Sequence, residues 1–127
     1  MSCIRVLIVD DHEKVRPALI AKLGGEHDLQ VMGTAASTDG ELEEALQFEP
    51  DVVLLDVKRN DGEGLEICHR IVRARPSTRV LILTSYPDAR EKREVLATGA
   101  AGYLLKDLDF QELLEQIKAP LDEERPS

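Results

Sequence analysis

Residues 6–14 read VLIVDDHEK. Val6 to Val9 form an unbroken apolar run, and it stops at two adjacent carboxylates, Asp10 and Asp11. An apolar run with no polar alternation suits a strand buried on both faces. Two like charges side by side repel, so a buried strand that ends in them calls for a compensating cation nearby.

The rest of the chain repeats this layout. Cys3–Val9 reads as the first strand. Val15, Leu19 and Leu23 then recur at helical spacing until Gly24-Gly25 ends the helix. Leu29–Ala36 is a weaker second strand, and Leu42, Ala45 and Leu46 mark a helix closed by Pro50. VVLL at 52–55 is a short strand, followed by a helix lined by Leu65, Cys68, Ile71 and Val72 and stopped by Pro76. VLIL at 80–83 precedes a charged helix from Asp88 to Thr98, with Pro87 suited to its first turn. GYLL at 102–105 is the last strand, and Leu108 to Lys118 the last helix. Five β/α repeats with fully apolar strands imply an α/β fold, a parallel sheet covered on both faces. Right-handed crossovers make it doubly wound. Residues 1–118 read as one domain and 119–127, APLDEERPS, as a solvated tail or the start of a linker.

Composition narrows the function. The 127 residues carry a net charge of −9. That balance disfavours direct binding of nucleic acid by this segment, which needs clustered Lys and Arg, and disfavours adhesion to anionic membranes. Cys3 and Cys68 match no zinc or redox spacing and read as reduced thiols. No stretch is long and apolar enough to span a bilayer, and the N-terminus lacks a signal-peptide layout. Cytoplasmic is the expected location.

In doubly wound sheets the working crevice lies beyond the carboxyl ends of the strands. Strand one delivers Asp10 and Asp11 there, strand three Asp56, strand four Thr84 and Ser85, and strand five Lys106. Three carboxylates in one crevice favour a hard divalent cation, and a small set of oxygen ligands points to magnesium rather than zinc or calcium. The same acidity disfavours a phosphate-bearing cofactor cradled by the first β/α loop. Lys106 can neutralise a phosphoryl oxygen and Thr84 can donate to another. Asp56, on a central strand, is the best candidate for a carboxylate nucleophile that forms an acyl phosphate.

VLIVDDHEKVR, PDVVLLDV, DGEGLEICHRI, VLILTSY and ATGAAGYLLKD, in that order, resemble the receiver domain of two-component response regulators. LTSY and GAAGYLLKD are most similar to the NarL/FixJ-like (LuxR-type) subfamily. The resemblance covers the chain to about Lys118. It implies a flavodoxin/CheY-like (βα)5 fold with strand order 2-1-3-4-5. It also implies that Asp56 takes a phosphoryl group from a sensor histidine kinase or phosphotransfer protein. Asp10, Asp11, Asp56 and the backbone carbonyl of Lys58 would then hold Mg2+. Thr84 would be the switch hydroxyl, Tyr103 the switch aromatic and Lys106 the phosphoryl-binding lysine. A homodimer on activation and a downstream DNA-binding domain that controls transcription are further implications.

The sequence departs from that family in two places. Arg59 and Asn60 stand where such receivers usually have an apolar residue and proline, and Asp107 replaces the proline that often follows the lysine. The altered KRND segment, 58–61, keeps open a receiver-like binding module that works without phosphorylation. A turnover phosphatase of related fold is disfavoured, because Lys58 stands where such enzymes place a second acid. Bland roles also exist: Asp10 and Asp11 as helix caps, Ser85 as a local hydrogen bonder, His12 as an exposed bystander. The helix DAREKREVLATG, 88–99, reads either as a solvated face or as a dynamic output surface.

Overall fold

The structure, a computed structural model, describes residues 3–10, 17–36, 40–57, 63–84, 87–105 and 109–123. Strands and helices alternate: β1 (Ile4–Asp10), α1 (Pro17–Gly24), β2 (Leu29–Ala36), α2 (Glu41–Leu46), β3 (Val52–Val57), α3 (Glu63–Ala74), β4 (Arg79–Thr84), α4 (Ala89–Thr98), β5 (Gly102–Leu105) and α5 (Phe110–Glu123). The strands form one parallel sheet in the order β2-β1-β3-β4-β5.

The apolar strands bury both faces. In β3, Val53 and Leu55 join a core with Leu42 and Leu46 of α2, Ile67 and Ile71 of α3 and Val95 of α4. Val52 and Leu54 point the other way, into a core with Leu23 of α1 and Leu113, Leu114 and Ile117 of α5. Alternation with period two therefore serves both helical layers at once, so no polar face appears in the sequence.

Two glycines do what other residues resist. Val6 and Leu7 are adjacent on β1 but pair with Val31 and Gly33, so β2 carries one extra residue there. Gly33 follows the bulge at φ 143, a backbone region that side chains rarely enter. Gly99 ends α4 at φ 124, and a Cβ there would sit 3.1 Å from Val72 Cγ1 of α3.

Element boundaries differ from the sequence expectation at several places. β3 runs two residues past Leu55 and so includes both Asp56 and Val57. Pro87 precedes the helix cap Asp88 and is not in the first turn of α4. The last helix starts at Phe110 and continues to Glu123, beyond the expected end at Lys118. Pro120 lies within it, although proline has no N–H to donate to the carbonyl four residues back. That carbonyl, on Gln116, accepts from Arg79 Nη2 at 3.1 Å, and the next, on Ile117, accepts from Arg79 Nη1 at 3.2 Å. The guanidinium of β4 thus replaces the donor that Pro120 lacks.

Candidate functional site

The carboxyl edge of the sheet gathers the candidate residues by register. Asp10 of β1 pairs with Asp56 of β3. One rung further, Val57 pairs with Thr84 of β4, and Thr84 pairs with Leu105 of β5. Lys106 is the next residue after Leu105 in sequence; it lies outside the described residues, as do Asp11, His12, Lys58, Ser85 and the Lys106–Asp107 peptide. Asp10 is described by its backbone alone.

Asp56 is 2 % exposed and Thr84 0 %. Burial of an ionisable carboxylate and a hydroxyl at a strand end is costly unless the surroundings supply charge and donors. The register sets Asp56 beside a second carboxylate residue, on strands about 4.8 Å apart. A buried carboxylate with an aspartate as its register partner is the residue chemistry that a hard divalent cation takes as ligands. Among the described residues no three His, Cys, Asp or Glu side chains converge on a metal site, and the remaining expected donors, Asp11 and Lys58, lie outside them.

Tyr103 belongs to the α3–α4 side of the sheet. It pairs with Ile82, two residues before Thr84, and packs on the core of that side. Its hydroxyl donates to Glu91 Oε1 at 2.7 Å and accepts from the Asp88 N–H at 3.1 Å. Burial, reinforced by the Glu91 acceptor, pushes the phenol up to about 12. Asp88 caps α4: its Oδ1 accepts from the N–H groups of Arg90 and Glu91 at 2.8 and 3.2 Å. Between α4 and β5 lies a shallow groove of about 280 Å³ lined by Pro87, Asp88, Lys92, Tyr103 and Leu105, among others.

Glu91 is the residue that sequence reasoning missed. Neither reading of the charged fourth helix, solvated face or dynamic output surface, singled out Glu91, which is buried at 9 % exposure. The available signal was D-x-x-E at 88–91, a helix-capping spacing. Both cysteines are free thiols. Burial raises the Cys68 thiol to about 11, which keeps it protonated and inert. Among the described residues no helix is long and apolar enough to cross a membrane.

A parallel sheet in this order, with Asp10 and Asp56 in register at its carboxyl edge, is the layout of a receiver-type α/β module. The model of the response regulator receiver domain family matches residues 6–118, and the chain belongs to that family. It is 38 % identical over 115 residues to the DNA-binding transcriptional activator DevR/DosR of Mycobacterium tuberculosis, covering 91 % of this chain and 53 % of that protein. The chain therefore spans about half the length of such curated relatives. Its fold matches a LuxR-family two-component response regulator from Aurantimonas sp. SI85-9A1, with TM-score 0.80 and 28 % identity over 98 % of this chain and 89 % of that one. It also matches the BeF3-activated DrrB receiver domain, with TM-score 0.70 and 27 % identity over 94 % of this chain and 98 % of that one. These matches agree with the LuxR-type resemblance carried by LTSY and GAAGYLLKD.

Proposed function

We propose that this chain is a phosphorylation-driven switch whose acceptor is Asp56. The observation that carries the reading is the pairing of Asp10 with a nearly buried Asp56 at the carboxyl edge of the central strands. A carboxylate oxygen of Asp56 attacks phosphorus in line. An O–P bond forms as the P–N bond of a kinase or phosphotransfer phosphohistidine breaks, and the imidazole leaves with the electron pair. The Lys106 ammonium takes a phosphoryl oxygen and the Thr84 hydroxyl donates to another. Mg2+, held by Asp10, Asp11, Asp56 and the Lys58 carbonyl, supplies further neutralisation of phosphoryl charge when bound. Water later cleaves the acyl phosphate, so the chain assists its own loading and unloading without turning over a substrate.

The new dianion draws Thr84 toward it, Tyr103 turns inward on the same side of the sheet, and the α4–β5 face changes its population of states. In this reading residues 1–118 are the receiver unit, in the cytoplasm, and the chain from 119, which begins within α5, leads out of it. The changed face serves dimerisation or a partner, and control of transcription falls to a DNA-binding domain further along the chain. The DNA-binding relative and the family match support this. Calorimetry with magnesium and beryllofluoride tests it. Magnesium-dependent beryllofluoride binding, lost in Asp56→Ala, is expected; magnesium affinity and beryllofluoride response both absent would favour a phosphorylation-independent binding module instead.

A further inference from the structure

The start of α4 is wired in an unusual order. A capping box pairs the cap side chain with the N–H of the third helical residue, and the third residue's carboxylate with the N–H of the cap residue. Asp88 and Glu91 stand at these positions, and the first half is present: the Glu91 N–H donates to Asp88 Oδ1 at 3.2 Å. The second half is interrupted. The Asp88 N–H donates to the Tyr103 hydroxyl at 3.1 Å, and that hydroxyl donates to Glu91 Oε1 at 2.7 Å. A phenol from β5 is inserted into the box of α4.

We propose that Glu91 is a two-position latch for Tyr103. With the phenol docked, Glu91 closes the box through the Tyr103 hydroxyl. With the phenol turned away toward Thr84, Glu91 accepts the Asp88 N–H directly. The inward turn of Tyr103 is the one element taken from the proposed function; the second position of Glu91 does not depend on it. The physical reason is satisfaction of polar groups. Glu91 is nearly buried and accepts from the Tyr103 hydroxyl, so losing that donor without replacement is costly. The Asp88 N–H is left open by the same departure, and the spacing D-x-x-E brings these two groups within reach of each other. Both states of the helix start are then hydrogen-bonded, which is what a bistable element requires. Glu91 acts through Tyr103 and touches no reacting atom, so it is a positioning residue.

Amide exchange at Asp88, followed by NMR, reads the latch. Beryllofluoride uptake at Asp56 is monitored separately by fluorine NMR. In the otherwise unchanged chain the Asp88 amide keeps its protection with and without beryllofluoride. In Glu91→Ala the docked phenol still accepts that amide, so protection holds without beryllofluoride and falls about tenfold with it. Glu91→Gln keeps an acceptor and restores protection. A second comparison needs no phosphoryl mimic: Tyr103→Phe retains protection because Glu91 closes the box, and Tyr103→Phe with Glu91→Ala loses about tenfold. If beryllofluoride fails to bind, the acceptor reading falls while this second comparison still decides the latch. Equal Asp88 exchange in Tyr103→Phe with and without Glu91→Ala overturns the latch, whatever Asp56 does.

Discussion

Asp10 and Asp56 are register partners on neighbouring parallel strands, the last rung that β1 and β3 share. Two acidic residues sharing a rung place like charge on neighbouring strands, and like charges disfavour each other. In the proposed reading this rung gives up stability for a site that takes a cation and a phosphoryl group. In magnesium-free buffer, Asp56→Asn is therefore expected to stabilise the fold by about 1 kcal/mol, or about 3–5 °C in Tm. Added magnesium narrows the gap by stabilising the unsubstituted chain. Thermal melts with and without chelator check this; a fall in Tm for Asp56→Asn without magnesium contradicts it.

Arg79 holds the far end of α5. Its guanidinium takes the carbonyls of Gln116 and Ile117, the first of which Pro120 leaves without a helical donor. Arg79→Met is expected to destabilise by about 1–2 kcal/mol. Adding Pro120→Ala returns an N–H to Gln116 and recovers part of the loss. Urea denaturation of the two variants measures both steps.

Gly99 ends α4 where a side chain meets two obstacles. Its φ of 124 is strained for any other residue, and its Cβ direction leads into Val72 at 3.1 Å. Gly99→Ala is expected to cost about 1–3 kcal/mol. Val72→Ala in the same chain relieves the contact but not the backbone strain, so rescue relative to Val72→Ala alone is partial. Denaturant midpoints separate the two contributions.

High pH should unfold the chain earlier than ordinary tyrosines and thiols dictate. Tyr103 is raised from 10.0 to about 12, mainly by burial and then by its bond to Glu91. Cys68 is raised from 9.0 to about 11 by burial. In both cases the unfolded state loses its proton first. The native state then binds more protons, and stability falls as pH rises. The Cys68 contribution is complete below pH 9 and lost as pH passes 11; that of Tyr103 is complete below pH 10 and lost as pH passes 12. Tyr103→Phe should flatten the upper part of a stability–pH curve and Cys68→Ala the lower part. Urea midpoints between pH 8 and the alkaline limit check the sign.

The sheet was legible because its strands advertise themselves. VLIV, VVLL and VLIL have no polar alternation, and only a sheet covered on both faces tolerates that. Asp10, Asp56 and Thr84 stand out in the sequence for the same reason: each follows an apolar run, and the sheet register puts them at its carboxyl edge. The apolar run VVLL ends at Leu55, but β3 continues through Asp56 to Val57 because its pairing with β4 continues to Thr84. Pro120 hid the length of α5, since proline reads as a terminator and its substitute donor, Arg79, lies on β4. Glu91 was hidden by its neighbours. Among Arg90, Lys92, Arg93 and Glu94 it looks like one more solvated charge, and only β5 packing reveals its phenol.

In the proposed function a carboxylate oxygen of Asp56 takes and later releases a phosphoryl group. Intact-mass measurement after incubation with magnesium and a small phosphodonor tests it most directly. A single phosphoryl adduct that disappears with time and is absent from Asp56→Ala is expected. No adduct, or one that persists in Asp56→Ala, would contradict it.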